Sequence, residues 1–280
     1  MKGEEKRPQM TNPVNPSSRP VVIVGCGRLG SAIVEGWLHT GALDARDLII
    51  LTPSSKPIAE AAKAAGARVN PPLEALAEAR AVVLAVKPAK WREASADLLE
   101  AFAPDAVIVS VMAGVRAADI SEAYLGRSVA RVMPTTAVAT GQGVAGLWSA
   151  NQVGREAAHV LFDGLADTVD LDREALMDVA TAVAGSGPAY VHAFTRALAE
   201  AGEAQGLEPE AALRLASGAV RSAASADPTS SLADLIARVA SPGGTTEAGL
   251  NALAKDRGLD TVVEAAVAAG LNRARELAAH

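Results

Sequence analysis

The chain has 280 residues, half of them apolar and 21% charged, with 26 basic against 32 acidic side chains for a formal net charge of −6. That length suits about two domains, the composition is too apolar for a disordered chain, and the acid excess gives no electrostatic basis for tracking nucleic-acid phosphates. A lone cysteine, Cys26, excludes an internal disulfide and a cysteine-built zinc site, and no metal is expected.

Residues 1–19 mix Lys, Glu, Pro, Asn and Ser without an apolar core, so they read as a flexible tail, neither secretory signal nor membrane anchor. No run approaches the roughly 18 apolar residues of a spanning helix, which predicts a cytoplasmic protein with no membrane partner. Val21–Val24 is a continuous β-branched run ending at Gly25, as in a parallel strand buried on both faces. A helix is expected from Leu29 to Leu38, with Gly41 as its left-handed cap. Further strands are expected at Leu48–Thr52, Ala81–Val86 and Val107–Val111, with helices at Ile58–Ala65, Leu73–Glu78 and Ala89–Phe102 between them. Strand and helix alternate, which predicts a largely parallel, doubly wound sheet.

Short final strands are expected at Val129–Met133, Gly143–Trp148 and Thr168–Leu171, after which helix formers dominate. The predicted fold is α/β: an N-terminal Rossmann-type domain, 20–172, followed by an all-α domain, 173–280. Pro188 and Pro209 mark the starts of two long helices, ending at Gly206 and before Asp227. Thr261 with Glu264 reads as a capping box opening a last helix, whose alanines and Gly270 would let another helix approach closely.

Gly25-Cys-Gly27-Arg-Leu-Gly30 is G-x-G-x-x-G at the end of a buried strand and the start of a helix. In that setting Gly25 permits the tight turn, Gly27 the close approach of a pyrophosphate, and Gly30 the packing of helix on strand, with Arg28 and Leu29 beside the phosphates. A dinucleotide is therefore expected. About 20 residues on, where an acid would accept from the ribose hydroxyls of NADH, stands Thr52, followed by Ser54, Ser55 and Lys56, which suit the 2′-phosphate of NADPH. NADPH is favoured and NADH less so; a merely polar loop with a solvated lysine is the other reading.

Residues 91–254 contain no lysine, and His159 and His192 read as ordinary packed or surface residues without an acid nearby in sequence. Dedicated proton-transfer groups are thus scarce, which fits an imine: its C=N can arrive already protonated. Two glycine-rich segments read as helix starts facing a ligand, Ser186-Gly187-Pro188 and Ser241-Pro242-Gly243-Gly244-Thr245-Thr246. The second combines free N–H groups, glycines and hydroxyls in a carboxylate site without an arginine, though an ordinary helix cap has the same composition.

These segments, with Ala85-Val-Lys-Pro88, Ser110-Val-Met-Ala-Gly-Val115, Arg131-Val-Met-Pro134, Gly185-Ser-Gly-Pro-Ala-Tyr190 and Arg273-Ala-Arg-Glu-Leu277, run in an order that resembles the pyrroline-5-carboxylate reductase family from Val21 to about Leu277. The resemblance implies NADPH-dependent reduction of (S)-1-pyrroline-5-carboxylate to L-proline, the last step of proline biosynthesis. It implies that Val86, Lys87 and Pro88 line the cofactor's ribose and Met112, Ala113 and Gly114 its nicotinamide. It implies too that Ser241, Gly243, Gly244, Thr245 and Thr246 hold the substrate carboxylate, with Thr246 the catalytic hydroxyl at the ring nitrogen. Interlocked homodimers, built into larger assemblies, follow from the same resemblance. The chain departs from the family at Thr135, where an asparagine is usual, and at Ala137 and Thr229. A reductase of a related cyclic imine, an NADP-dependent hydroxy-acid dehydrogenase and a non-catalytic dinucleotide-binding protein stay open as alternatives.

Overall fold

The computed structural model describes residues 20–227 and 229–278; the expected tail at 1–19 lies outside them, as does Pro228. Among the described residues there are eight strands: β1 Val21–Val24, β2 Leu48–Leu51, β3 Arg68–Val69, β4 Ala81–Leu84, β5 Val107–Ser110, β6 Val129–Pro134, β7 Gly143–Ser149 and β8 Ala166–Asp170. They form one sheet in the order β3-β2-β1-β4-β5-β6-β7-β8. Every neighbouring pair is parallel except β6 with β7. The expected doubly wound, largely parallel sheet is therefore present, and its strand order reverses direction between β1 and β4, the place where such sheets bind ligands.

Helices α1 (Arg28–Thr40), α2 (Pro57–Ala64), α3 (Trp91–Ser95), α4 (Ala117–Ala123) and α5 (Gln152–Phe162) cover the two faces. Alternation along β1 sorts the core: Val21 and Ile23 join Ile33, Trp37, Ala62 and Phe162 of α1, α2 and α5. Val22 and Val24 join Trp91, Phe102, Ile120 and Tyr124 on the other side. The Trp37 indole N–H donates to Leu161 O at 2.8 Å, tying α1 to α5 across this core.

Three expectations on this half need correction. β3 was not foreseen, because two residues carry no periodicity. Leu73–Glu78 holds only a short 3₁₀ turn, Leu73–Leu76. The helix expected over Ala89–Phe102 is a 3₁₀ turn, Pro88–Lys90, then α3 alone, since Leu98 and Phe102 pack into the core from turns.

The remainder is helical, as expected: α6 Leu176–Ala180, α7 Gly187–Ala204, α8 Pro209–Ala224, α9 Leu232–Val239, α10 Thr245–Ala254 and α11 Gly258–Ala278. α6 packs on β6 and β7 and passes through a wide π turn, Thr181–Gly185, into α7. The Ser186-Gly187-Pro188 segment is thus no free helix start: Ser186 N–H donates to Thr181 O at 3.0 Å. α11 begins at Gly258, three residues before Thr261, so the expected capping box lies inside the helix. Gly270 serves a contact within the chain: a Cβ there would lie 3.1 Å from the Tyr190 hydroxyl and 3.4 Å from Ala182 Cβ.

Among the described residues the only fully helical core is three alanines, Ala199, Ala212 and Ala216, between α7 and α8. The larger side chains there face out: Leu232 is 78% exposed, Val239 69% and Val262 68%. An apolar surface of that extent marks an interaction face. No described helix is long and apolar enough to cross a membrane.

Candidate active site

A cleft of about 770 Å³ opens at the carboxyl ends of β1, β2 and β4. Its lining includes Gly25 and Gly27 after β1, Thr52, Ser54 and Lys56 after β2, Asn70 and Pro71 after β3, and Val86 and Lys87 after β4. Lys90, Glu93, Ala94 and Leu98 close the side formed by α3 and its flanking turns. Three lysines against one glutamate make this corner of an acidic chain locally cationic, as a polyphosphate ligand needs.

The glycine turn has the geometry that a dinucleotide-binding turn requires. Gly25 has φ +100°, and a Cβ there would lie 2.7 Å from Ala85 O. A Cβ on Gly30 would lie 2.2 Å from Gly25 O, so helix and strand close up only with glycine at that place. At Gly27 an added Cβ meets nothing within 4 Å. That open space lies over the start of α1, which has neither a side-chain cap nor an acid in its first turn. Uncapped amides at a helix N-terminus beside a cradle that a Cβ would fill match a pyrophosphate.

The structure gathers Gly25, Gly27, Ser54, Lys56, Val86 and Lys87 from the expected cofactor residues around this cleft. Arg28, the first residue of α1 after Gly27, is exposed, and Gly30 acts through packing. Ser55 is turned away: its hydroxyl donates to Glu60 Oε1 at 3.1 Å. Pro88 follows the lining residue Lys87 without lining the cleft itself, and Leu29 packs against the core under α1. Met112, Ala113 and Gly114 follow β5 at the same sheet edge, one strand beyond β4, with Gly114 at φ +75°. Thr135 is buried with its hydroxyl accepting from Val144 N–H at 3.2 Å, so it serves the β6–β7 pairing.

The Ser241–Thr246 loop does open a helix, α10, but none of its residues lines the cleft of the same chain. It is also less free than its sequence implies. Gly243 N–H donates to Glu247 Oε2 at 2.7 Å, and Gly244 N–H to Ser241 O at 3.0 Å. Thr245 and Thr246 N–H have no acceptor among the described residues. A Cβ on Gly244 would crowd Ser241, 2.6 Å from its rotatable Oγ and 3.0 Å from its backbone O.

Sequence reasoning missed Asn70, Pro71, Lys90, Glu93, Ala94 and Leu98. Asn70-Pro71-Pro72 was a usable signal, because consecutive prolines end a strand and place the preceding residue at a turn. His159, taken as lacking a nearby acid, in fact lies between Asp163 at 2.9 Å and Asp170 at 3.2 Å. Burial works against its charged form, yet the two carboxylates outweigh it and raise its pKa. It sits on α5 beside β8, away from the cleft. Among the described residues no cluster of His, Cys, Asp or Glu could hold a metal.

Comparison with known proteins agrees with this architecture. The family described as "Pyrroline-5-carboxylate reductase dimerisation" matches residues 174–277, and "NADP oxidoreductase coenzyme F420-dependent" matches residues 20–114. A pyrroline-5-carboxylate reductase of Pseudomonas aeruginosa is 36% identical over 275 residues, covering 94% of this chain and 98% of the relative. The solved pyrroline-5-carboxylate reductase of Coxiella burnetii superposes with a TM-score of 0.81 at 27% identity, covering 93% of this chain and 98% of that one. A pyrroline carboxylate reductase of Plasmodium falciparum solved with NADP bound shares the fold, with a TM-score of 0.76 at 24% identity over 92% of this chain and 98% of its own. With kinship running through both the sheet and the helical half, the chain belongs to the pyrroline-5-carboxylate reductase family.

Proposed function

We infer that this chain reduces (S)-1-pyrroline-5-carboxylate to L-proline with NADPH, as a cytoplasmic homo-oligomeric enzyme. The observation that carries the reading is kinship at 36% identity across nearly the whole chain, spanning both the glycine turn and the Ser241–Thr246 loop.

The residues present divide the work. Gly27 and the start of α1 hold the pyrophosphate, Ser54 and Lys56 the 2′-phosphate, and Val86, Lys87 and Pro88 the adjoining ribose. Met112, Ala113 and Gly114 form the wall at the nicotinamide, which supplies the hydride when bound. Thr245 and Thr246 amides orient the substrate carboxylate through charge-assisted hydrogen bonds, and the Thr246 hydroxyl stands at the ring nitrogen. An imine entering already protonated at nitrogen needs no general acid there when its carbon accepts the hydride, which agrees with a cleft lined by no histidine. Residues 173–280 supply the substrate loop and the oligomer contacts, and residues 20–172 bind the dinucleotide. We place the loop of a second copy at each site, a reading supported by the dimerisation family matched over residues 174–277 and by the loop's absence from the lining of its own chain's cleft.

The direct test is NADPH consumption on adding 1-pyrroline-5-carboxylate, compared with the six-membered cyclic imine and with NADH. Thr246→Ala is expected to lower kcat/KM for the imine by about tenfold or more while the affinity for NADPH stays within about twofold. Equal weakening of both would remove Thr246 from the site, and faster reduction of the six-membered ring would reassign the substrate.

A further inference from the structure

We propose that Asn70 is the positioning residue that sets the chain's choice of NADPH, by completing a strand ladder that its two following prolines cannot complete. The proposal rests on the reading of Ser54 and Lys56 as the 2′-phosphate corner.

β2 and β3 pair in parallel, and the ladder's last backbone bond runs from Asn70 N–H to Ile50 O at 2.9 Å. The next rung would need a donor for Thr52 O from the residues that follow. Those are Pro71 and Pro72, which have no N–H. Asn70 is also turned out of the strand, with φ +47°, a left-handed conformation that asparagine tolerates better than most residues.

Its side chain supplies the missing rung. Thr52 N–H donates to Asn70 Oδ1 at 2.9 Å, and Asn70 Nδ2 donates to Thr52 O at 2.9 Å. A primary amide carries one acceptor and donors in a fixed plane, so it can satisfy both groups of one peptide position at once. Aspartate has no donor and alanine has neither. Thr52 is thereby held one residue past the end of the backbone ladder, and its hydroxyl donates onward to Ser54 O at 3.0 Å. The turn leading to Ser54 and Lys56 is thus set before any cofactor arrives. Ser54, Lys56 and Asn70 all line the cleft.

Preorganisation of this kind acts on binding of the group the loop contacts. NADPH, whose 2′-phosphate meets Ser54 and Lys56, depends on it more than NADH, which presents only ribose hydroxyls to the same turn. The experiment is steady-state kinetics of the full-length protein with both cofactors for wild type, Asn70→Ala, Asn70→Asp and Lys56→Glu, with thermal melts as a folding control. The expected result is a rise in KM for NADPH in Asn70→Ala that exceeds any rise in KM for NADH by about tenfold, with a melting temperature near that of the wild type. Asn70→Asp, which keeps the acceptor but loses the donor and adds a negative charge beside the phosphate corner, is expected to be worse than alanine for NADPH. If Lys56→Glu discriminates between the cofactors but both Asn70 variants raise the two KM values equally, or raise neither, Asn70 does not set the choice. If Lys56→Glu itself fails to discriminate, the phosphate corner is misplaced and the role of Asn70 falls with it. Should either Asn70 variant not fold, the other and direct NADPH fluorescence binding decide between the same outcomes.

Discussion

At the scale of single residues the glycine turn separates structural from functional constraint. Gly25 and Gly30 are held by their surroundings, since a side chain at either would collide with backbone. Gly27 has φ −75° and ψ −162°, a conformation open to any residue, and free space where a Cβ would go. Gly27→Ala is therefore expected to leave the urea midpoint of unfolding nearly unchanged while raising KM for NADPH about tenfold or more, because the methyl group occupies the pyrophosphate's path. The motif was fully legible in the sequence. The clasp of Asn70 on Thr52 was not, because it joins residues 18 positions apart through a side chain standing in for backbone.

Between elements, an ion pair between a buried arginine and a partly exposed glutamate joins the sheet to the turn that leads into α6. Arg131 on β6 is 4% exposed, and its Nη1 lies 3.0 Å from Glu174 Oε1, which also accepts from Ala117 N–H at the start of α4, at 2.7 Å. Arg131 Nε and Nη2 have no partner among the described residues. Glu174 is thus the guanidinium's one carboxylate. Glu174→Ala, which strands that charge, is expected to cost about 3 to 5 kcal/mol in chemical denaturation, and Arg131→Met, which removes the buried charge itself, to cost less. A larger loss in Arg131→Met would mean that the pair stabilises more than it costs to bury. The order of strands and helices in the sheet was readable from β-branched runs and glycine punctuation. Arg131 and Glu174, 43 residues apart, gave no sign of meeting.

The junction of α5 and β8 carries a second charge cluster, with a pH dependence. His159 faces Asp163 and Asp170, Thr168 donates to Asp163 at 2.5 Å, and Arg155 holds Asp170 at 2.5 Å. Burial opposes protonation of the ring, but the two carboxylates raise its pKa above the usual 6.5. A raised folded-state pKa contributes stability that is fully present below the unfolded value and is lost as pH rises through the folded one. Urea midpoints are expected to fall between pH 6 and pH 8 in the wild type, and part of that fall should vanish in His159→Gln. A slope unaltered by the substitution would assign it to other groups.

For the whole molecule, the last strand ends at Asp170 and only helical elements follow from Leu176, a change of element type readable from composition. What composition could not convey is how little the helices bury for themselves. Three alanines make their core, and leucines and valines face outward. A helix hydrophobic on its exposed side reads in sequence like one facing its own core, so the period alone does not say whose core it serves.

The separation of the Ser241–Thr246 loop from the cleft of the same chain has a genetic consequence. A Gly27→Ala subunit keeps an intact loop, and a Thr246→Ala subunit keeps an intact cleft. In the proposed two-copy arrangement each homodimer is crippled, but a mixed pair holds one site assembled wholly from sound halves. Co-expression in equal amounts with random pairing is expected to restore about one quarter of wild-type activity, since half the dimers are mixed and each has one good site of two. Sites contained within single chains would show no such rescue.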